Sequence, residues 1–173
     1  MSENIESEAQ EELPRFPCKQ ETYTKTVGKL LPTILGEILT ELGLKVKVNH
    51  QQANGVDLEA FLGDTRLIVA EILNWSIKSR LTDKRKSSII RNLNEFHCNK
   101  VLIYTVPLSN LEGLEENRIR LIEIGYQILP ETYYKFFLAK KQVEKRTIDS
   151  DSTRRHIRAK ILQYIEDCSR GHR

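Results

Sequence analysis

Hydrophobic positions along the chain recur with two periods, and the switches between them predict the order of elements. Residues 24–43 place Leu31, Leu35, Ile38, Leu39 and Leu42 at helical spacing. Thr24 or Thr26 can cap this helix and Gly43 is a natural stop. Pro32 lies inside the span, so the regular helix is expected to begin there, where a first-turn proline is tolerated. A strand follows over 44–48, with Leu44, Val46 and Val48 alternating against Lys45 and Lys47. After the turn signal Asn54-Gly55 a second strand runs over 56–62, and Gly63-Asp64 turns the chain into a third strand over 67–73. That third strand is apolar on both faces except for Glu71, the pattern of a central strand covered on both sides. The period then returns to helical over 82–96, with Ile89, Leu93 and Phe96 on the buried side. A strand over 100–106, a helix over 114–124 stopped by Gly125 and a short strand over 126–129 come next. The last helix is expected over 153–168, capped by Asp151 or Ser152 and lined by Ile157, Ile161, Tyr164, Ile165 and Cys168. A leading helix, a three-strand meander and later crossover helices make an α/β sandwich around a mixed sheet flanked by helices.

Length and composition add bounds to this pattern. At 173 residues, with 39% hydrophobic and 29% charged side chains, the chain reads as one ordinary globular domain with tails. It has no long apolar run of membrane-spanning length and no basic-then-apolar leader, so a cytoplasmic protein without a membrane partner is expected. Cys18, Cys98 and Cys168 are far apart and read as reduced thiols. Residues 1–20 read as a flexible acidic arm, 21–138 as the α/β domain and 139–173 as a basic helical extension. Residues 1–13 hold five glutamates and no Lys or Arg, so the remainder carries +8 against +3 for the whole chain. Much of the excess lies in Lys78–Arg91 and in Lys140–Arg173. Basic stretches of this kind attract phosphate backbones, and they also occur as plain solvated helix faces.

The candidate chemistry centres on Asp57 and Glu71. The hairpin can bring these two acids together at one end of the sheet. A lone charge buried in an apolar strand is expensive, so Glu71 must be paired, hydrated or bound to a cation. Clustered carboxylates suit a hard divalent ion such as Mg²⁺, which can activate water and stabilise a phosphate being cleaved. Each residue also has a plainer reading. Asp57 can cap the turn after Asn54-Gly55, Glu37 can face solvent, with Glu41 as an alternative one turn later, and Glu59 shares a face with Asp57 but is expected to be exposed. Trp75 reads as a packed sheet-end residue, and Tyr133, Tyr134, Phe136 and Phe137 as packing of the C-terminal region. His50 and Gln51 read as loop residues, while His97 and His156 lack partners at metal spacing. P-loop, dinucleotide-binding and hydrolase-elbow motifs are absent.

In these residues the sequence resembles the PD-(D/E)xK nuclease superfamily, which includes restriction enzymes and archaeal Holliday junction resolvases. The resemblance covers about residues 28–130 by element order and motif position. Gly36-Glu37-Ile38-Leu39 occupies the first-helix position, Gly55-Val56-Asp57 the Asp position and Glu71-Ile72-Leu73 the tripeptide. It implies a restriction-endonuclease-like fold and a Mg²⁺- or Mn²⁺-dependent DNA endonuclease, with metal held by Glu37, Asp57, Glu71 and the Ile72 carbonyl. It also implies a further polar residue from the following helix and a homodimer. The family lysine is replaced by Leu73, which shares a face with Glu71, whereas Asn74 points the other way. Two explanations compete. The lysine role has moved, to Lys84 or Lys86 on the next helix, Lys78 or Lys47; or catalysis is lost and the fold binds nucleic acid or a protein. Lys47, Lys78, Arg80, Lys84, Arg85, Lys86 and Arg91 are the candidate nucleic-acid contacts. A weaker reading is an assembly protein that dimerises through its aromatic and C-terminal helical region.

Overall fold

A computed structural model describes residues 17–49, 55–130, 133–138, 141–147 and 149–171. The first helix, α1, spans Pro17–Glu41 and so starts well before the expected Thr24 or Thr26 cap, running through Pro32. It ends at the expected glycine. Gly43 takes φ +95°, Gly43 N–H bonds the Thr40 carbonyl and Leu44 N–H bonds the Leu39 carbonyl, which satisfies the helix's last acceptors.

Five strands follow in one mixed sheet: β1 (Lys45–Val48), β2 (Leu58–Leu62), β3 (Thr65–Leu73), β4 (Asn99–Tyr104) and β5 (Ile119–Glu123), in spatial order β1-β2-β3-β4-β5. The pairs β1–β2 and β2–β3 are antiparallel, and β3–β4 and β4–β5 are parallel. The parallel pair β3–β4 needs a crossover, and α2 (Asp83–Asn94) supplies it. Thr82 caps α2 by accepting from Arg85 N–H at 3.1 Å. The predicted central strand is therefore central: β3 has two strands on either side and helices over both faces.

Residues 114–124 do not form the expected helix. Glu115–Asn117 is a single 3₁₀ turn, Arg118 turns the chain in the left-handed region at φ +61°, and β5 follows. The apolar positions 119, 121, 122 and 124 fit either period, and a free parallel edge on β4 decides the outcome. A second sheet, of order β6-β7-β8, is built from β6 (Tyr126–Ile128), β7 (Tyr133–Leu138) and β8 (Lys141–Thr147), all antiparallel. The stretch after residue 139 is thus not helical throughout. Its helix, α3, spans Ser150–Gly171, and Asp149 caps it by accepting from Ser152 N–H at 2.7 Å, in place of Asp151 or Ser152.

Two cores sandwich the main sheet. One joins Leu31, Leu35, Ile38 and Leu39 of α1 and Ile157, Ile161 and Tyr164 of α3 to Ala70, Ile72 and Ile103. The other joins Ile89 and Leu93 of α2 to Val69, Leu73 and Leu102. Among the described residues no helix is long and apolar enough to cross a membrane.

Asn74, just past β3, ties the first core together. Its Nδ2 donates to the Val27 carbonyl at 2.8 Å and to the Ile128 carbonyl at 2.7 Å, and its Oδ1 accepts from Ile128 N–H at 3.0 Å. Asn74→Ala strands these buried backbone groups, and urea unfolding should show a loss of about 3 kcal/mol. A loss below about 1 kcal/mol would mean that water replaces the side chain.

Candidate functional site

Backbone pairing brings the two acids together. Asp57 stands one residue before β2, and its N–H bonds the Ala70 carbonyl at 3.0 Å while its carbonyl accepts from Asn49 N–H at 2.8 Å. Asp57 Oδ2 accepts the Ile72 N–H at 2.8 Å. The carboxylate therefore does what the next carbonyl of β2 would have done, and caps the ladder rather than the preceding turn. This holds Asp57 against the segment of β3 that carries Glu71.

Glu71 is 2% exposed on the face covered by α2. Its Oε1 accepts from Asn92 Nδ2 at 3.2 Å, and its carboxyl hydrogen-bonds the carboxyl of Asp57. Burial pushes the Glu71 carboxyl up to about 8; the Asp57 charge and the bond to Asp57 push the same way, while Asn92 and the Arg85 guanidinium oppose them. At neutral pH this keeps a proton on the Glu71 carboxyl.

The positioning follows from local sequence. Glu71 and Leu73 share a face by strand period, and Leu73 is packed with Val56, Leu81 and Ile89. Asn74 points the other way, as expected. On α2, positions 85, 89 and 92 fall on one helical side, so Ile89 enters the core while Arg85 and Asn92 flank it towards Glu71. Asn92 was not singled out from the sequence, although its spacing of three from the buried Ile89 carried the signal. It is a polar residue from the helix after β3.

The other candidates lie apart from the pair. Glu37 projects from α1 on the opposite side of the sheet, where it pairs with Arg154 of α3; Glu41 pairs with Arg158 at 3.5 Å one turn along. Among the described residues no three His, Cys, Asp or Glu side chains come together as a metal-binding group. Glu59 is buried rather than exposed. It binds Arg66 at 3.0 Å, Asn49 at 3.0 Å and Lys47 at 3.9 Å, which commits Lys47 to the outer strands. Lys86 reaches Asn110 at 2.8 Å. Lys78, Arg80, Lys84 and Arg91 are exposed on and before α2. Of the basic run, Arg85 is the residue whose charge acts on Glu71.

Trp75 packs against the second core, with its N–H on Thr105 Oγ1 at 2.8 Å. His156 bonds the Ile124 carbonyl at 2.7 Å and stacks on Tyr126. Tyr133, Tyr134, Phe136 and Phe137 belong to β7. His50 and Gln51 lie outside the described residues. No family model, curated protein or solved structure matches the chain. The fold and site define an α/β protein whose five-stranded mixed sheet carries a buried glutamate with a half-buried aspartate beside it.

The raised pKa sets the sign of a pH effect. Between the ordinary glutamate range near 4.5 and about 8, the folded protein holds a proton that the unfolded chain releases, so stability falls as pH rises across that window. Thermal melts in EDTA from pH 5 to pH 8.5 should show this fall, and Glu71→Gln should flatten it. An equal slope in the variant would place the effect elsewhere.

Proposed function

We propose that the protein is a divalent-metal-dependent DNA endonuclease in which Asp57 and Glu71 hold Mg²⁺ or Mn²⁺. The observation that carries this reading is the meeting of two carboxyls, Asp57 at the entry to β2 and bonded to the Ile72 N–H, and Glu71 buried on β3, since a cation can take the place of the proton that Glu71 holds. Two carboxylates suffice in principle: Mg²⁺ keeps several waters and completes its shell with substrate phosphates. The Ile72 carbonyl is the third candidate ligand carried over from the nuclease resemblance. Glu37, committed to Arg154, drops out of the set. The metal would activate water and steady the charge on the phosphate. Asn92 orients Glu71, and Arg85, whose charge acts on Glu71, takes the displaced-lysine role for which Lys84, Lys86, Lys78 and Lys47 are the sequence candidates. Lys78, Arg80, Lys84 and Arg91 would meet the backbone beyond it.

A specific observation favours a second reading. Leu73 stands where the superfamily has its lysine, and it is sealed in the core at 2% exposure. A fold with that lysine gone can bind nucleic acid or a protein partner without cutting it.

Incubation with plasmid, single-stranded, flapped and four-way DNA distinguishes the two. Cleavage should need Mg²⁺ or Mn²⁺, stop in EDTA and disappear in Asp57→Ala and Glu71→Ala. Asn92→Ala should lose about 10–100-fold. Cleavage retained in both acid variants, or no cleavage of any substrate, overturns the nuclease reading. Metal-independent binding in the absence of cutting would support the second.

A further inference from the structure

A groove of about 730 Å³ opens at the amino-terminal ends of β3, β4 and β5, on the far end of the sheet from the carboxyl pair. Arg66, Lys100, Arg118 and Arg120 line it, together with the rings of Phe96 and Tyr164. Leu67, also in its wall, precedes Glu71 by four strand residues, so the groove and the pair are about 13 Å apart at the usual strand rise.

Two of the four cations are already matched. Arg66 pairs with Glu59 at 3.0 Å and Arg120 with Asp167 at 2.8 Å. The other two are not. Lys100 is held by the neutral side chain of Asn94 at 2.7 Å, and Arg118 makes no ion pair with a described residue. Arg118 is also exposed and sits at φ +61°, a backbone region that favours Gly or Asn, so local preference does not explain an arginine there.

The rings say what the groove does not read. The Arg66 guanidinium lies 4.9 Å from the centre of the Phe96 ring, and Arg120 lies 6.0 Å from that of Tyr164, itself 5% exposed. Tyr164 therefore offers no bare face on which a base could stack, and Arg66 covers one face of Phe96. The groove is also far larger than one phosphate requires, so it suits a run of phosphates rather than a free ion.

We propose that this groove seats the phosphodiester backbone of duplex DNA without regard to sequence, through Lys100 and Arg118, as a contact separate from the carboxyl pair. It stands on the groove's own charges and rings, and holds whether or not the carboxyl pair cuts.

The test is fluorescence anisotropy of the full chain with a labelled 30-base-pair duplex in EDTA, from 50 to 300 mM salt. Lys100→Gln with Arg118→Asn, the latter suited to the left-handed backbone, should weaken binding at 150 mM salt about tenfold. Losing two phosphate contacts should make the log–log salt slope shallower by about 1.8. Removal of the same charge from the exposed Lys29 and Lys160, by Lys29→Gln with Lys160→Gln, should leave both readings unchanged. Because the assay runs in EDTA, binding is read without any cleavage, which separates this result from a failure of the nuclease reading. No binding by wild type, equal losses in the groove and control variants, or equal competition by polyglutamate per unit charge would overturn the proposal. The last result would assign the groove to an acidic peptide.

Discussion

Glu71 puts an acid on the strand that the rest of the main sheet is built around. β3 pairs with β2 and β4 and is covered by helices on both faces, so water does little to solvate the charge. Burying an unpaired carboxylate is prohibitive, and the structure meets the constraint with three groups from two elements. Asp57 comes from the entry to β2, while Asn92 and Arg85 come from α2. The solution ties down more than one charge. Asp57 is held beside Glu71 because its Oδ2 accepts the Ile72 N–H, and Asn92 can reach Glu71 because Ile89 anchors the same side of α2 in the core.

The two faces of the sheet divide the work. On the face of α1 and α3, the acids and bases that might have joined the site form a clamp between helices: Glu37 with Arg154 and Glu41 with Arg158, one turn apart on each helix. Exposed pairs of this kind contribute little to stability individually, but they keep Glu37 on that face. On the face of α2, the carboxyl pair borders an apolar core to which Leu73 belongs. Leu73 contributes packing at the position where the nuclease resemblance leads one to look for a cation.

Much of this was legible from residue order. Alternation predicted β1 and β2, the run apolar on both faces predicted β3 and marked it as central, and Gly43 marked the end of α1. Glu71 declared itself as an acid in an apolar strand, and the hairpin named Asp57 as its partner. The failures share a cause, which is that tertiary pairing overrode local pattern. Residues 119–124 fit a helix until the free edge of β4 is considered. Glu59 reads as exposed until Arg66, lodged beside Phe61 and Phe96, is seen to reach it. Asn92 is an ordinary polar helix residue until the rotation of α2 is set by Ile89. The hairpin of β7 and β8 was hidden by a charged second strand that shows little apolar alternation.

The central claim is that Glu71, set against Asp57, holds a proton which a divalent cation displaces. Calorimetric titration of Mn²⁺ into the protein, in two buffers of different ionisation enthalpy, counts protons released per metal bound. At pH 7, below the Glu71 value of about 8, the account predicts release of nearly one proton, declining towards zero well above pH 8. Binding with no proton release at pH 7, or no Mn²⁺ binding at all, would contradict it.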